Sequence, residues 1–454
     1  MNITLNKQSE ADTLINITLE ESDYQSKVEE KIKEYSRKVN IKGFRHGKVP
    51  TGVVKKMYGK SILVDLVDHL ISDSLNKYIK ENKLLVLGEP IANLEKAIDW
   101  DNQKNFEFEF KIGYVEDYQV DFSAVTVNSY TIEVDQKTVE EAIQTSKERY
   151  GTKSALELSD NSDLVFINGV IKFENEHQNR NCTIEVSKIN PKQQNKFIGV
   201  KNGDTITFQI EGLSDDANLL ARLTGKNEDE AKMEKGEYVL EVTEVFKIVP
   251  AELNQETFDK IFGTDVVKNI DEFENKIKET IQFNYNRETN HYLEYEIRRV
   301  VADSTFIKIP EEFLKQWIKI SSKGSKGMEE EVFNREFNEY KKSVKWDLIV
   351  SKITKSNDLK VEEDEIKNEA KQNLLAQFGN IPSDQFDSKV IDDAVMNYLT
   401  GSDRKGDRYM QIYNFLLNRK AMDFIKEKIT KLEKKVSLEE FKRIVDSQNE
   451  VVVE

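Results

Sequence analysis

The sequence predicts an α+β multidomain chain: a small α+β domain, a β-rich domain and a long all-α C-terminal domain, elongated as a whole. Three observations carry this. Polar–apolar alternation of strand type recurs only before Pro250, and helical periodicity runs almost unbroken after it. The length of 454 residues corresponds to about three domains. Charged residues make up 33 % against 38 % hydrophobic, with a mean hydropathy of −0.62, which suits a chain with much surface per residue.

Residues 12–20 alternate as a half-buried strand, and Ser22 and Asp23 are candidate caps for the helix that follows to Lys38. The glycines and closing proline of Ile41-Lys-Gly-Phe-Arg-His-Gly-Lys-Val-Pro50 interrupt it as a loop. A second helix is expected from Val53 to Asn82, then a strand at Phe106–Phe110, which closes a first domain at 1–112. Residues 113–150 read as a linker packing on the C-terminal domain. Strands near 164–167, 183–186, 205–210 and 238–245, separated by turns such as Lys201-Asn-Gly-Asp204, make 151–247 a β-rich domain. Residues 248–454 are then helical, with Pro310 at a helix start and Ser437-Leu-Glu-Glu440 as a capping box.

Composition excludes several functions. A net charge of −16 argues against a general nucleic-acid coat or a binder of anionic membranes. No apolar run approaches the ~20 residues needed to span a bilayer, and Met1–Glu10 lacks the basic and apolar regions of a signal peptide. A soluble, cytoplasmic protein is the expectation, with no membrane partner. The single cysteine, Cys182, excludes an internal disulfide. His46, His69, His177 and His291 have no metal-ligand spacing. No nucleophile elbow or dinucleotide fingerprint is present. No catalytic residue, metal or cofactor is expected.

One segment reverses the charge. Lys31, Lys33, Arg37, Lys38, Lys42, Arg45, Lys48, Lys55, Lys56 and Lys60 surround the loop, and Glu34 is the only acid between 31 and 60. Cations with Phe44 among them suit docking to a phosphate-rich surface, although a solvated helical face has the same charge pattern. The spacing is not a phosphate loop. Three residues, not four, separate Gly43 from Gly47, and Val49 stands where Ser or Thr would bind Mg²⁺.

Gly43-Phe-Arg-His-Gly-Lys-Val-Pro50, followed by Tyr58-Gly59, closely resembles the ribosome-docking signature of the trigger factor family, Gly-Phe-Arg-x-Gly-Lys-x-Pro and then Tyr-Gly. Leu87-Gly-Glu-Pro90 resembles that family's Gly-x-Pro, and the domain order matches along the whole chain. The resemblance implies an ATP-independent chaperone that binds nascent or unfolded polypeptides at the ribosomal exit tunnel. Its partners would be an exit-tunnel protein and rRNA, with a homodimer as the state to look for off the ribosome. It assigns ribosome docking to Gly43, Phe44, Arg45, Gly47, Lys48 and Pro50. For client binding, the aromatics of the interrupted helical stripes are the candidates: Phe313, Trp317, Phe333, Phe337 and Trp346, with Tyr398, Tyr413 and Phe415 beside them.

The family's middle domain is an FKBP-type prolyl isomerase, and here the sequence departs from it. Phe197-Ile-Gly-Val-Lys-Asn-Gly-Asp204 resembles its turn. The Ile-Pro-Gly-Phe-Glu expected before it is replaced by Asn190-Pro-Lys-Gln-Gln-Asn195, and Ile167-Asn-Gly169 stands where Ile-Asp-Phe is expected. Phe166, Phe173, Phe197, Phe208 and Tyr238 are therefore read as sheet core, and the domain as a degenerate isomerase. An active isomerase and a free nucleic-acid-binding module remain the alternatives.

Overall fold

The computed structural model describes all residues except 8–12, 46, 94–97, 173–178, 322–328, 378–387, 404–405 and 452–454, and it leaves the side chains of 388, 402–403, 406 and 448–451 undescribed. His46, Phe173 and His177 thus lie outside the described residues. In chain order the first elements are β1 (Asn2–Lys7), β2 (Thr13–Leu19), α1 (Glu21–Lys38), α2 (Thr51–Glu81), β3 (Leu85–Ala92), β4 (Phe106–Val115), β5 (Thr126–Ile132) and α3 (Gln136–Arg149). The middle of the chain forms β6 (Thr152–Ala155), β7 (Val165–Lys172), β8 (Arg180–Glu185), α4 (Pro191–Gln194), β9 (Thr205–Gln209), α5 (Ala217–Thr224), α6 (Glu228–Met233) and β10 (Glu237–Val249). There follow α7 (Gln255–Phe262), α8 (Ile270–Ser304), α9 (Glu311–Ser321), α10 (Glu330–Ser356), α11 (Glu363–Gln377) and α12 (Ser388–Thr400). The chain closes with β11 (Ser402–Asp403), β12 (Gly406–Asp407), α13 (Arg408–Lys428), β13 (Thr430–Val436) and α14 (Leu438–Val451).

The chain divides into two compact units, Met1–Ser129 with Tyr292–Leu432, and Tyr130–His291 with Glu433–Glu454. In the first, an antiparallel sheet of order β1-β2-β4-β3 carries α1 and α2. Ile15, Ile17 and Leu19 of β2 alternate inward and bury against Val67, Ile71 and Leu75 of α2 and Phe106 and Ile112 of β4. The cap of α1 differs from expectation. Ser22 is already helical, and Asp23 closes the first turn by accepting the Glu20 N–H at 2.9 Å. Strands β1 and β3 are not expected from the sequence. Pro90 argues against a strand, but β3 lies at the sheet edge, where a missing N–H costs no ladder bond.

The same unit contains the helical segments between Tyr292 and Leu432. Val115, Tyr118, Val125 and Val127 bury among Ile297 and Val301 of α8, Leu348 and Ile349 of α10 and Met422 and Ile425 of α13. The Tyr118 hydroxyl donates to the Leu348 carbonyl at 2.7 Å, and burial pushes this phenol up to about 12. The segment after β4 is thus woven into the helical core, and the expected boundary at 112 falls inside a strand. A second contact joins helix to sheet. Phe313 and Leu314 of α9 bury with Phe337 of α10 and against Leu87 and Ile91 of β3.

In the second unit, β6-β10-β7-β8 form a sheet with β9 paired to β10. Val165, Ile167, Ile171, Phe197, Phe208, Leu223 and Leu240 make its core. Separately, Val139 of α3, Phe258 of α7 and Phe273 and Ile277 of α8 bury together. The tail of the chain differs from the expected run of helix. Thr430–Val436 is a strand paired with β5. Its composition, TKLEKKV, hides this, because nearly every position is exposed and no apolar alternation is needed. The capping box after it is present: Ser437 N–H donates to Glu440 Oε2 at 2.9 Å and Glu440 N–H to Ser437 Oγ at 3.2 Å.

Candidate functional site

The end of α1 and the start of α2 carry a small core of their own, separate from the one on the sheet. Ile32, Val49, Val54 and Ile62 are buried there, with Val39, Ile41 and Tyr58 packed against them. This core sorts the loop. Val39, Ile41 and Val49 turn inward, while Lys42, Phe44, Arg45 and Lys48 are exposed. Gly43 has φ +96° and Gly47 φ +76°, a region costly for residues with a Cβ. Two turns hold the shape: Phe44 N–H donates to the Ile41 carbonyl at 3.1 Å, and Lys48 N–H to the Arg45 carbonyl at 2.9 Å. Pro50 caps α2, and its carbonyl accepts from Val53 N–H at 3.0 Å. All six residues assigned to docking by resemblance therefore lie in one turn-bearing loop between α1 and α2. The inward residues Val49 and Val54 have no signature in the sequence beyond their apolar character.

The charges around the loop are largely unneutralised. Glu34 pairs with Lys38 at 2.5 Å and Lys31 at 3.4 Å, and Lys60 pairs with Asp101 at 2.6 Å. Hydrogen bonds from Lys38, then Lys31, hold the Glu34 carboxyl below the usual range. Among the described residues, no carboxylate lies within ion-pairing distance of Lys33, Arg37, Lys42, Arg45, Lys48, Lys55 or Lys56. The hairpin therefore presents a dense positive surface on an acidic chain.

The proposed client residues are placed differently. Phe313 is fully buried, and Phe333, Phe337 and Trp346 are buried as well. The Phe333 and Phe337 rings stack at 6.3 Å, and Trp346 Nε1–H donates to Asn418 Oδ1 at 3.1 Å. Trp317 is half-buried on Gly88. Helical spacing alone cannot tell an aromatic that faces a client from one that faces a neighbouring helix. The apolar side chains left exposed in this region include Ile320, Met396, Met410 and Phe415 on helices and Phe306 in the connection between α8 and α9.

In the β-rich domain the rings form core. Phe197 and Phe208 are fully buried at 5.4 Å, and Tyr238 lies 6.1 Å from Phe208. Phe166 departs from the expectation. Strand alternation turns it away from Val165 and Ile167, and it stacks on Phe246 at 5.4 Å. At Gly169 an added Cβ would lie 2.5 Å from the Glu241 backbone carbonyl oxygen, which cannot yield, so no larger side chain fits there. Asn190-Pro-Lys-Gln-Gln194 builds a polar corner. Asn190 Nδ2–H donates to the Gly212 carbonyl at 2.9 Å, and Gln193 Nε2–H to the Gln209 carbonyl at 2.8 Å. Two clefts border this domain, of about 590 and about 480 Å³. One is lined by Asn168, Asn181, Cys182, Thr183 and Arg222 and the other by Asn190, Lys192, Gln193 and Glu211, with no aromatic in either. Burial pushes the Cys182 thiol up to about 11, which leaves it almost wholly protonated near neutral pH. Among the described residues, no group of three or more His, Cys, Asp or Glu side chains could hold a metal ion.

Comparison with known proteins covers most of the chain. Residues 1–146 match the family model of bacterial trigger factor protein, 157–250 that of the probable trigger factor FKBP-like domain, and 289–445 that of the probable trigger factor C-terminal domain. The chain belongs to the trigger factor family. Trigger factor of Rickettsia conorii is 24 % identical, over 95 % of this chain and 97 % of its own. That of Pelagibacter ubique is 22 % identical over 98 % and 89 %, and that of Francisella tularensis 26 % over 81 % and 84 %. A solved structure of the trigger factor chaperone aligns with a TM-score of 0.54 at 17 % identity, over 94 % of this chain and 99 % of that one, which shows the shared fold.

The FKBP-like domain of this member is expected to be a poor isomerase. Prolyl isomerisation of this type needs an apolar pocket that strips water from the prolyl amide, and the two clefts described above have no aromatic wall. Acceleration of cis–trans exchange in a proline tetrapeptide should be within a few-fold of the uncatalysed rate. A rate like that of an ordinary FKBP-type enzyme would refute this.

Proposed function

We infer that this chain is a ribosome-associated chaperone that holds nascent and unfolded polypeptides without nucleotide. The observation that carries the inference is the ordered loop that presents Phe44, Arg45 and Lys48 to solvent within the basic hairpin. Gly43, Gly47 and Pro50 shape the loop, the cations meet the ribosomal surface and Phe44 supplies an apolar anchor. An exit-tunnel protein and rRNA are the proposed contacts, and a cytoplasmic location follows from the partner. Among the described residues no helix is long and apolar enough to cross a membrane.

Clients would meet the exposed apolar groups of the helices and of the α8–α9 connection, not the buried aromatics named from sequence. Scattered Phe, Ile and Met side chains among charges provide weak, adaptable contacts. Phe306 is 84 % exposed and Ile320 61 %, so their removal should leave folding intact. The test combines ribosome co-sedimentation with suppression of client aggregation in the absence of ATP. Wild type should do both. Joint replacement Phe306→Ser, Ile320→Ser and Phe415→Ser should cut aggregation suppression several-fold, with sedimentation and melting temperature unchanged. Undiminished suppression would place client contact elsewhere.

A further inference from the structure

The docking loop is not the only exposed ring on the hairpin. Tyr35 lies in the last turns of α1, and its carbonyl accepts from Val39 N–H at 2.9 Å where the helix ends. It therefore sits about one helical turn below the loop. Its ring is 39 % exposed and is backed by Tyr58 of α2, with centroids 5.3 Å apart at 57°. Tyr58 belongs to the small core under the loop, so the pair is fixed to the same framework as Phe44. Met57, also exposed, is next to Tyr58 in the chain. Among the described residues neither phenol hydroxyl has a hydrogen-bond partner and no cation covers the Tyr35 ring. A lone exposed tyrosine is ordinary. A braced aromatic pair is not, with Lys55, which has no carboxylate partner among the described residues, one turn before Tyr58 on α2.

We propose that Tyr35, braced by Tyr58, is a stacking ledge for an unpaired base of ribosomal RNA beside the docking loop. This rests on the ribosome reading above. Among the described residues Arg37, Lys42, Lys48 and Lys55 have no carboxylate partners, whereas Lys38 at the end of α1 pairs with Glu34, and these four free cations suit a polyanion. A polyanion that also offers flat apolar faces is looped or single-stranded RNA, whose splayed bases stack on aromatic side chains. An acidic protein surface would satisfy the charges and leave the ring without a matching face.

The decisive experiment uses the full chain with a benzoylphenylalanine photo-crosslinker at position 35, bound to purified ribosomes and irradiated. The expected adduct migrates with RNA and is released by ribonuclease. An adduct to a ribosomal protein, or none under conditions where the same label at position 44 reacts, overturns the ledge. In parallel, Tyr35→Ala should weaken ribosome binding about tenfold, while Tyr35→Phe binds like wild type because the ring is kept. The salt dependence of Tyr35→Ala should match wild type, since no phosphate-pairing cation is lost. Unchanged affinity of a folded Tyr35→Ala protein also overturns the ledge and leaves the loop assignment standing. Failure of wild type itself to sediment with ribosomes would instead refute the function and the ledge with it.

Discussion

Ribosome co-sedimentation should fall by two or more decades when Phe44, Arg45 and Lys48 are all replaced by alanine. Contacts of this kind at the centre of an interface are each worth about 1–3 kcal/mol, and roughly 1.4 kcal/mol is a decade of affinity. The fold should survive, because all three side chains are exposed while the core beneath them is formed by Ile32, Val49, Val54 and Ile62. Exposed substitutions of this sort usually cost within about 0.5 kcal/mol. If the two cations pair with phosphates, the slope of log affinity against log salt should become shallower by about two. Unchanged sedimentation of the folded triple variant would remove this loop from the docking surface.

The second large effect is expected at Phe313. This ring is fully buried, and it rests where an added Cβ on Gly113 would lie 2.5 Å from its Cδ1. Trp317, one turn along α9, covers Gly88 in the same way, with Cδ2 2.9 Å from the position a Cβ would take. Two glycines of β3 and β4 thus act as sockets for two aromatics of α9, and Gly88, at φ +69°, is further restricted by its backbone. Phe313→Ala should destabilise the first unit by about 3–5 kcal/mol, seen as a lower denaturant midpoint and as faster amide exchange throughout α9. Gly113→Val should release α9 from the sheet as well, since the closest obstacles include the Leu87 carbonyl, which cannot yield. The opposite outcome for Phe313→Ala, full stability with client holding lost, would restore the client role that helical spacing suggested.

The shape of the loop at 41–50 was legible because its demands are local. Glycines at 43 and 47 permit positive φ, Pro50 starts α2, and the cations with one aromatic give an exposed, positively charged surface; none of this needs a distant partner. The strand–helix–loop–helix–strand order at Thr13–Val115 was legible for the same reason, through alternation in β2 and periodicity in α2. Composition likewise determined that no disulfide could staple the chain, since Cys182 has no second thiol to meet. Other features were decided only by tertiary contact. Strand β13 exists because β5 pairs with it, and β3 tolerates Pro90 because it lies at an edge. Which aromatics are buried depended on what faced them. Phe313 and Trp317 found glycine sockets two hundred or more residues earlier in the chain, whereas Phe306 and Phe415 stay largely exposed. A hydrophobic side chain reports that it will be buried if a complementary surface exists; whether one exists is a property of the assembled fold, not of the segment that carries the side chain.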